Sequence, residues 1–222
     1  MIFAAGFGTR MGALTADMPK PLVNVAGRPM IDRAVELARA AGIKNLTANL
    51  HYKHEMLADH LAPQDMQLSL ELPDVLDTGG GLLHALPLMG VAPIFTLNPD
   101  AVWHGPNPLP LLRRAWDPAK MDGLLMLIQP QNAHDHTGKG DFLTDPDGRL
   151  SRGAGMVYSG AQIIKTDLLY TIEEKVFSLN KLWDLMLSNR RLFGLNYPGS
   201  WCDIGSPEGL KTAERMLRMP CV

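Results

Sequence analysis

Residues 3–22 read Phe-Ala-Ala-Gly-Phe-Gly-Thr-Arg-Met-Gly-Ala-Leu-Thr-Ala-Asp-Met-Pro-Lys-Pro-Leu. The apolar run from Met1 to Ala5 has the make-up of a short strand, and it ends at two glycines, Gly6 and Gly8. Glycine lets a backbone come close to a ligand and leaves N–H groups open to phosphate oxygens. Thr9 and Arg10 follow at once, and the arginine adds a planar, permanently charged fork. Lys20 stands between Pro19 and Pro21, a second cation on a stretch that two rings stiffen. Alone, Gly6 and Gly8 fit an ordinary strand-to-helix turn. With Thr9-Arg10 and Pro19-Lys20-Pro21 at this spacing, the segment reads as a loop built to hold a polyphosphate. Two other phosphate-binding patterns fail by spelling. No segment has Gly-x-x-x-x-Gly-Lys-Ser/Thr, and Gly-x-Gly-x-x-Gly fails because Met11 stands where the third glycine belongs.

Working outward, 222 residues with 46% apolar side chains are enough for one α/β domain over residues 1–222 with a sizeable core. A net charge of −2 argues against a nucleic-acid partner, which would favour a basic surplus. Cys202 and Cys221 share no metal spacing and make no disulfide framework, which fits a reducing cytoplasm. No apolar run has the length of a membrane helix and no signal peptide precedes the first strand, so a cytoplasmic chain without a membrane partner is expected. The oligomeric state is left open, a monomer included.

Helices are expected over 29–41, with Pro29 in the first turn and Gly42 as the stop, and over 53–61, 79–88, after Ser178, and from Ser206-Pro207-Glu208 onward. Strands are expected over 45–50, 93–97, 123–129 and 156–165. Met66, Leu68, Leu70 and Leu72 alternate with polar residues as a half-buried strand would, and Glu71 among them reads as structural. Asp145-Pro146-Asp147-Gly148 is a turn signal joining 141–144 to 149–152 as a hairpin. Pro106 to Pro110 reads as a surface loop. Strands alternating with helices predict a three-layer, doubly wound α/β fold around a mostly parallel sheet, with the hairpin as an insertion.

In such folds ligands bind beyond the carboxyl ends of the strands. The glycine loop lies there, and so does Asp77-Thr78-Gly79-Gly80-Gly81, whose free N–H groups could read a base edge. Asp100, in Asn98-Pro99-Asp100, follows the 93–97 strand at a place that projects into the same crevice, although alone such an aspartate reads as a helix cap or turn residue. The histidines read as bland: His54-Glu55 lacks a second histidine at Ala58, so no zinc helix is present.

The first segment resembles the signature loop of sugar-1-phosphate nucleotidyltransferases, roughly Leu-Ala-Ala-Gly-x-Gly-Thr-Arg followed by Pro-Lys-Pro-Leu. The closest resemblance is to the short bacterial members that transfer UMP to N-acetylmuramate α-1-phosphate, and it spans nearly the whole chain. It implies the Rossmann-like fold of nucleotide-diphospho-sugar transferases. It further implies catalytic roles for Arg10 and Lys20, and nucleotide contacts for Ala5, Gly6, Gly8, Thr9, Asp77, Thr78 and Gly79. Asn98, Gly140, Asp141, Ser159 and Gly160 become sugar-binding, in a pocket shaped around Trp103, Asp141 and Tyr158. Asp100, together with Asp203 in Trp-Cys-Asp-Ile-Gly-Ser-Pro, becomes a ligand of Mg²⁺, which takes hard oxygen donors and completes its shell with water and substrate phosphate. The Glu-Lys-Pro of many members is absent, as in the muramate branch, and Lys139 is a weak substitute for its lysine. The substrates implied are a nucleoside triphosphate and a sugar-1-phosphate. Mannose-1-phosphate guanylyl transfer, glucose-1-phosphate nucleotidyl transfer and a non-catalytic nucleotide sensor are the rival readings.

Overall fold

The run Met1 to Ala5 becomes the middle of the molecule. In the computed structural model, which describes residues 1–90 and 93–219, β1 (Ile2–Phe3) leads through short 3-10 turns and the small hairpin β2 (Asn24–Val25) and β3 (Arg28–Pro29) into α1 (Met30–Ala40). There follow β4 (Thr47–Leu50), α2 (His54–Leu61), β5 (Gln67–Leu70) and α3 (Asp77–Ala85). Next come β6 (Ile94–Leu97), β7 (Ala101–His104), α4 (Pro108–Ala115), β8 (Gly123–Ile128) and β9 (Ala133–His134). The hairpin β10 (Phe142–Thr144) and β11 (Leu150–Arg152) precedes β12 (Val157–Ile164), α5 (Leu179–Ser188), β13 (Leu192–Asn196), β14 (Ser200–Asp203) and α6 (Pro207–Leu217).

The seven-stranded sheet has the order β13-β8-β12-β6-β1-β4-β5. β1 pairs parallel with both β4 and β6, β4 with β5, and β13 with β8, while β12 runs against β6 and β8. The expected mostly parallel, three-layer α/β fold is what the chain adopts. One face is covered by α1, α2 and α4 through Ile31, Val35, Leu57, Leu61, Leu109 and Leu112. The other is covered by α3 and α5 through Leu82, Leu179, Leu182, Trp183 and Met186. Burying each such side chain contributes about 1.5–3 kcal/mol. A second sheet, β7-β14-β9, packs with α6 over Met11, Val25 and Met30. It hangs β14 antiparallel on β7, with Asp203 opposite Ala101.

Some expectations fail for clear reasons. The 106–110 segment is not a loop: Asn107 Oδ1 accepts from the Leu109 N–H at 3.0 Å and starts α4, whose prolines sit in the first turn, where no N–H is needed. Pro29 caps α1 rather than entering it. The leucine alternation of β5 holds only in part: Met66 and Leu68 pack against the core, Leu70 and Leu72 are exposed, and Ser69 and Glu71 on the other face are buried. β5 is the edge strand, and its inner face meets a polar pair and the glycines of α3. The short strands β7, β9, β13 and β14 went unforeseen. Cys221 lies outside the described residues, and among those described no helix is long and apolar enough to cross a membrane.

The glycines of α3 are there for contact. A methyl group at Gly79 would overlap the Phe177 ring, one at Gly80 the Lys175 carbonyl oxygen, and one at Gly81 a Glu71 carboxylate oxygen. Gly80→Ala therefore sets a helix-propensity gain of about 1 kcal/mol against overlap with a backbone carbonyl, and overpacking costs about 1–3 kcal/mol. We expect a lower melting temperature, by roughly 2–4 °C for each net kcal/mol. A thermal melt showing Gly80→Ala more stable than the parent would contradict this packing.

Candidate active site

The parallel strands deliver their carboxyl ends to one rim. The loop after β1 turns sharply at Gly8 (φ 66°), where a Cβ would come within 2.7 Å of the Lys20 Cβ. The Thr15 hydroxyl and the Met11 N–H both donate to the Gly8 carbonyl, at 3.0 and 2.9 Å, which holds the loop folded over the Lys20 segment. Lys20 opens a tight turn with Pro19 before it and the buried Pro21 behind it. Its Cβ packs under Gly8, and Lys20 Nζ reaches Asp100 Oδ2 at 2.6 Å.

Asp100 sits where β6 gives way to β7. The Ile204 N–H donates to the Asp100 carbonyl at 2.8 Å, which brings the end of β14 alongside. Asp203 thereby joins the group, and Arg10 Nη1 lies 3.8 Å from its Oδ2. The two cations differ in freedom: the Arg10 side chain is 71% exposed and that of Lys20 only 13%. Lys20 is a fixed charge, and Arg10 is one that can swing. Burial pushes the Asp203 carboxyl above its ordinary range, and the Asp100 carboxylate pushes it further, against the pull of Lys20 and Arg10. Two acids that crowd each other this way, both offering hard oxygen donors, fit a divalent cation that takes its remaining ligands from phosphate. Among the described residues no set of three or more His, Cys, Asp or Glu could hold a metal without such help.

Arg10, Lys20 and Asp100 line one compartment together with Gly6, Gly8 and Thr9. A second compartment continues from it past Gly6 and Asp100 and is walled by Ala5, Asn49, Val75, Asp77, Thr78, Asn98 and Val176. Asp77 holds a left-handed backbone (φ 59°), with its Oδ1 accepting from the Thr78 N–H at 2.5 Å. The Thr78 hydroxyl oxygen accepts from the Leu179 N–H at 3.0 Å, tying this turn to the start of α5.

Five of the nucleotide and sugar contacts expected from the sequence, Gly79, Gly140, Asp141, Ser159 and Gly160, line neither compartment. The Gly79 N–H is not free to read a base, because it donates to the Phe177 carbonyl at 2.9 Å, as does that of Gly80 at 3.0 Å. Ser159 is 1% exposed and its hydroxyl donates to the Met126 carbonyl at 2.7 Å, inside the sheet. Gly140 and Asp141 line neither compartment. Gly140 lies against the Gly155 backbone, and Asp141 Oδ2 accepts from the Tyr158 N–H at 2.8 Å, so the pair pins the hairpin to β12. Gly160 (φ 86°) packs on the Asn98 side chain, and its carbonyl accepts from the Asn98 N–H at 2.9 Å. Trp103 packs edge-on against Tyr197, and Tyr158 against Trp183; Lys139 is exposed. Burial holds the Cys202 thiol up at about 12, Asp135 and Asp203 adding to it, so no thiolate nucleophile is present there at neutral pH. Asn49, Val75 and Val176 were missed. Asn49 carried a signal, a lone amide inside the apolar strand Thr-Ala-Asn-Leu.

Comparison with known proteins gives the family and the fold. Residues 1–137 match the family described as MobA-like NTP transferase domain. The N-acetylmuramate alpha-1-phosphate uridylyltransferase of Caulobacter vibrioides is 34% identical over 98% of this chain and 96% of its own. The protein of that name from Neisseria meningitidis serogroup B is 29% identical over 97% of this chain and 96% of its own. The fold is similar to that of a putative glucose-1-phosphate thymidylyltransferase from Bacillus anthracis, with a TM-score of 0.82 at 15% identity over 99% of this chain and 94% of that one. With the glycine loop, the sheet and the full-length relatives in agreement, the chain belongs to the sugar-1-phosphate nucleotidyltransferase family, on a MobA-like NTP transferase domain.

Proposed function

We propose that this chain, acting as one catalytic unit in the cytoplasm, joins UMP from UTP to N-acetylmuramate α-1-phosphate and releases pyrophosphate. The observation that carries the reading is the convergence of Arg10, Lys20, Asp100 and Asp203 at one rim of the sheet. The substrate pair is taken from the two full-length relatives named above.

A phosphate oxygen of the sugar-1-phosphate forms a bond to the α-phosphorus, and the bond from that phosphorus to the bridging oxygen breaks, so that pyrophosphate leaves with its electron pair. The nucleophile is already an anion and needs no general base. The barrier is repulsion between anions and charge growth on the leaving group, so position and positive charge do the catalysis. Lys20 steadies the α-phosphate, and Arg10 swings onto the departing pyrophosphate. Gly6, Gly8 and Thr9 offer N–H groups to the phosphate chain. Ala5, Asp77 and Thr78 face base and ribose, with Val75 and Val176 as apolar walls. Asn98 meets the acceptor sugar, with Gly160, Gly140 and Asp141 shaping its approach. Asp100 and Asp203 would hold Mg²⁺, which when bound neutralises charge on the phosphates.

The test is a pyrophosphate-release assay with Mg²⁺, each of the four common nucleoside triphosphates and a panel of sugar-1-phosphates. UTP with N-acetylmuramate α-1-phosphate is expected to give the highest kcat/KM. A preference for GTP with mannose-1-phosphate would overturn the substrate assignment, and no release with any pair would overturn the activity. Arg10→Ala, removing a mobile and exposed cation, is expected to lower kcat/KM about tenfold, with the melting temperature unchanged. Wild-type kinetics in that variant would remove Arg10 from the mechanism.

A further inference from the structure

A buried polar chain runs between the loop after β1 and the turn that opens α3. The Ala4 N–H donates to Asn49 Oδ1 at 2.8 Å, Asn49 Nδ2 donates to Glu71 Oε1 at 2.7 Å, and the Leu76 N–H donates to Glu71 Oε2 at 2.7 Å. Asn49 is 3% exposed and Glu71 1%. Gly81 closes on both, since a methyl there would overlap Glu71 Oε1 and press on Asn49 Nδ2. His51 Nδ1 lies 2.8 Å from the Glu71 carbonyl oxygen and fixes the strand end. Burying a carboxylate and an amide is costly, and apolar side chains would fill the same space with less desolvation. Apolar contacts, however, do not set a distance as a chain of hydrogen bonds does.

Ala4 is next to Ala5 and Gly6, and Leu76 is next to Asp77 and Thr78. The chain therefore ends on the two turns that bracket the cleft. We propose that Asn49 and Glu71 are positioning residues, a hydrogen-bonded strut that sets the spacing between the loop for the phosphates and the turn for the base. The proposal rests on the nucleotide reading of the cleft given above.

The donor pattern makes it testable. Glutamate at 71 accepts at both oxygens. In Glu71→Gln one of them becomes an NH₂. If the glutamine oxygen keeps the Leu76 N–H, its NH₂ faces the Asn49 NH₂; if Asn49 flips, its NH₂ faces the Ala4 N–H. Some donor is left against a donor in every arrangement, and one turn must move. Asn49→Asp alone puts two carboxylates together. The double variant Asn49→Asp/Glu71→Gln restores the full set. The new carboxylate at position 49 accepts from the Ala4 N–H and from the new NH₂ at position 71, and the amide oxygen at position 71 accepts from the Leu76 N–H.

The experiment is calorimetric binding of UTP, of pyrophosphate and of uridine to the wild type and these three variants, with Mg²⁺, well below each melting temperature. UTP spans both turns, whereas pyrophosphate and uridine each touch one. Glu71→Gln is expected to weaken UTP about tenfold or more and to leave both fragments within about twofold, and the double variant, altered at Asn49, which also walls the cleft, is expected to bind UTP at least about threefold more tightly than Glu71→Gln. UTP affinity unchanged in Glu71→Gln overturns the strut. So do equal losses for UTP and fragments, which mark a merely structural role, and a double variant that does not fold or does not recover UTP. A wild-type protein that does not bind UTP overturns the reading of the cleft and the strut together. UTP binding that is normal in the wild type and in every variant overturns the strut alone.

Discussion

Lys20→Ala is expected to lose turnover by about a hundredfold to a thousandfold, the usual cost of removing one preorganised group from a developing charge. Three observations set that size. The side chain is mostly buried, it is aimed by the Pro19–Pro21 turn, and its Nζ sits 2.6 Å from Asp100 Oδ2. A charge held this way is in place before the reaction and does not reorganise during it. Lys20→Arg is expected to recover little, because a planar fork does not replace a point charge at that distance. The melting temperature should fall only slightly, since both partners keep access to solvent and a partly exposed ion pair contributes about 1 kcal/mol or less. Steady-state pyrophosphate release checks the rate, and a thermal melt checks the fold. Turnover in Lys20→Ala within threefold of wild type would take Lys20 out of the chemistry.

Asp100→Asn is expected to lose at least as much, about a thousandfold. The amide keeps the shape of the side chain but removes the charge that faces Lys20, and it leaves Asp203 with Asp135 as its remaining acidic neighbour. The Asp203 carboxyl should then ionise at lower pH than in the wild type, because the larger of the two like charges that help to raise it is gone, while burial and Asp135 still act. Added Mg²⁺ should restore turnover only in part, since one of the two oxygen donors has lost its charge. The variant should keep the wild-type circular dichroism spectrum. Full turnover at ordinary Mg²⁺ would mean that Asp100 neither holds a cation nor orders Lys20.

The sequence made the rim legible because it writes the rim in local, ungapped motifs. Gly6-Phe7-Gly8-Thr9-Arg10 and Pro19-Lys20-Pro21 need no tertiary context to be read as a phosphate loop, and Trp201 to Pro207 carries Asp203 in one run. What lay hidden depends on contacts between distant segments. Gly79, Gly80 and Gly81 were legible as the start of a helix with N–H groups for a base edge, but not as the contact points they are: their missing side chains admit Phe177, Lys175 and Glu71. Ser159 follows a tyrosine in a pocket-like motif, but strand alternation turns its hydroxyl away from Tyr158, toward Met126. The leucines of β5 showed only one of its two packed faces: Met66 and Leu68 pack on the core, while the opposite face is filled by an amide and a carboxylate that satisfy each other, which periodicity cannot see. Pro108 and Pro110 read as loop residues because prolines crowd the 106–110 segment, but proline also suits a first helical turn, and the Asn107 cap is what marks the helix start.

The central claim is electrostatic: the fixed Lys20, the mobile Arg10 and the paired acids Asp100 and Asp203 act on one set of phosphates. A crystal structure of the protein with Mg²⁺ and a non-hydrolysable UTP analogue tests it most directly. The account predicts the α-phosphate within hydrogen-bonding distance of Lys20 Nζ, a cation held by Asp100 and Asp203, and the base between Val75 and Val176 beside Thr78. A triphosphate bound away from Lys20, or a cation that touches neither aspartate, would contradict it.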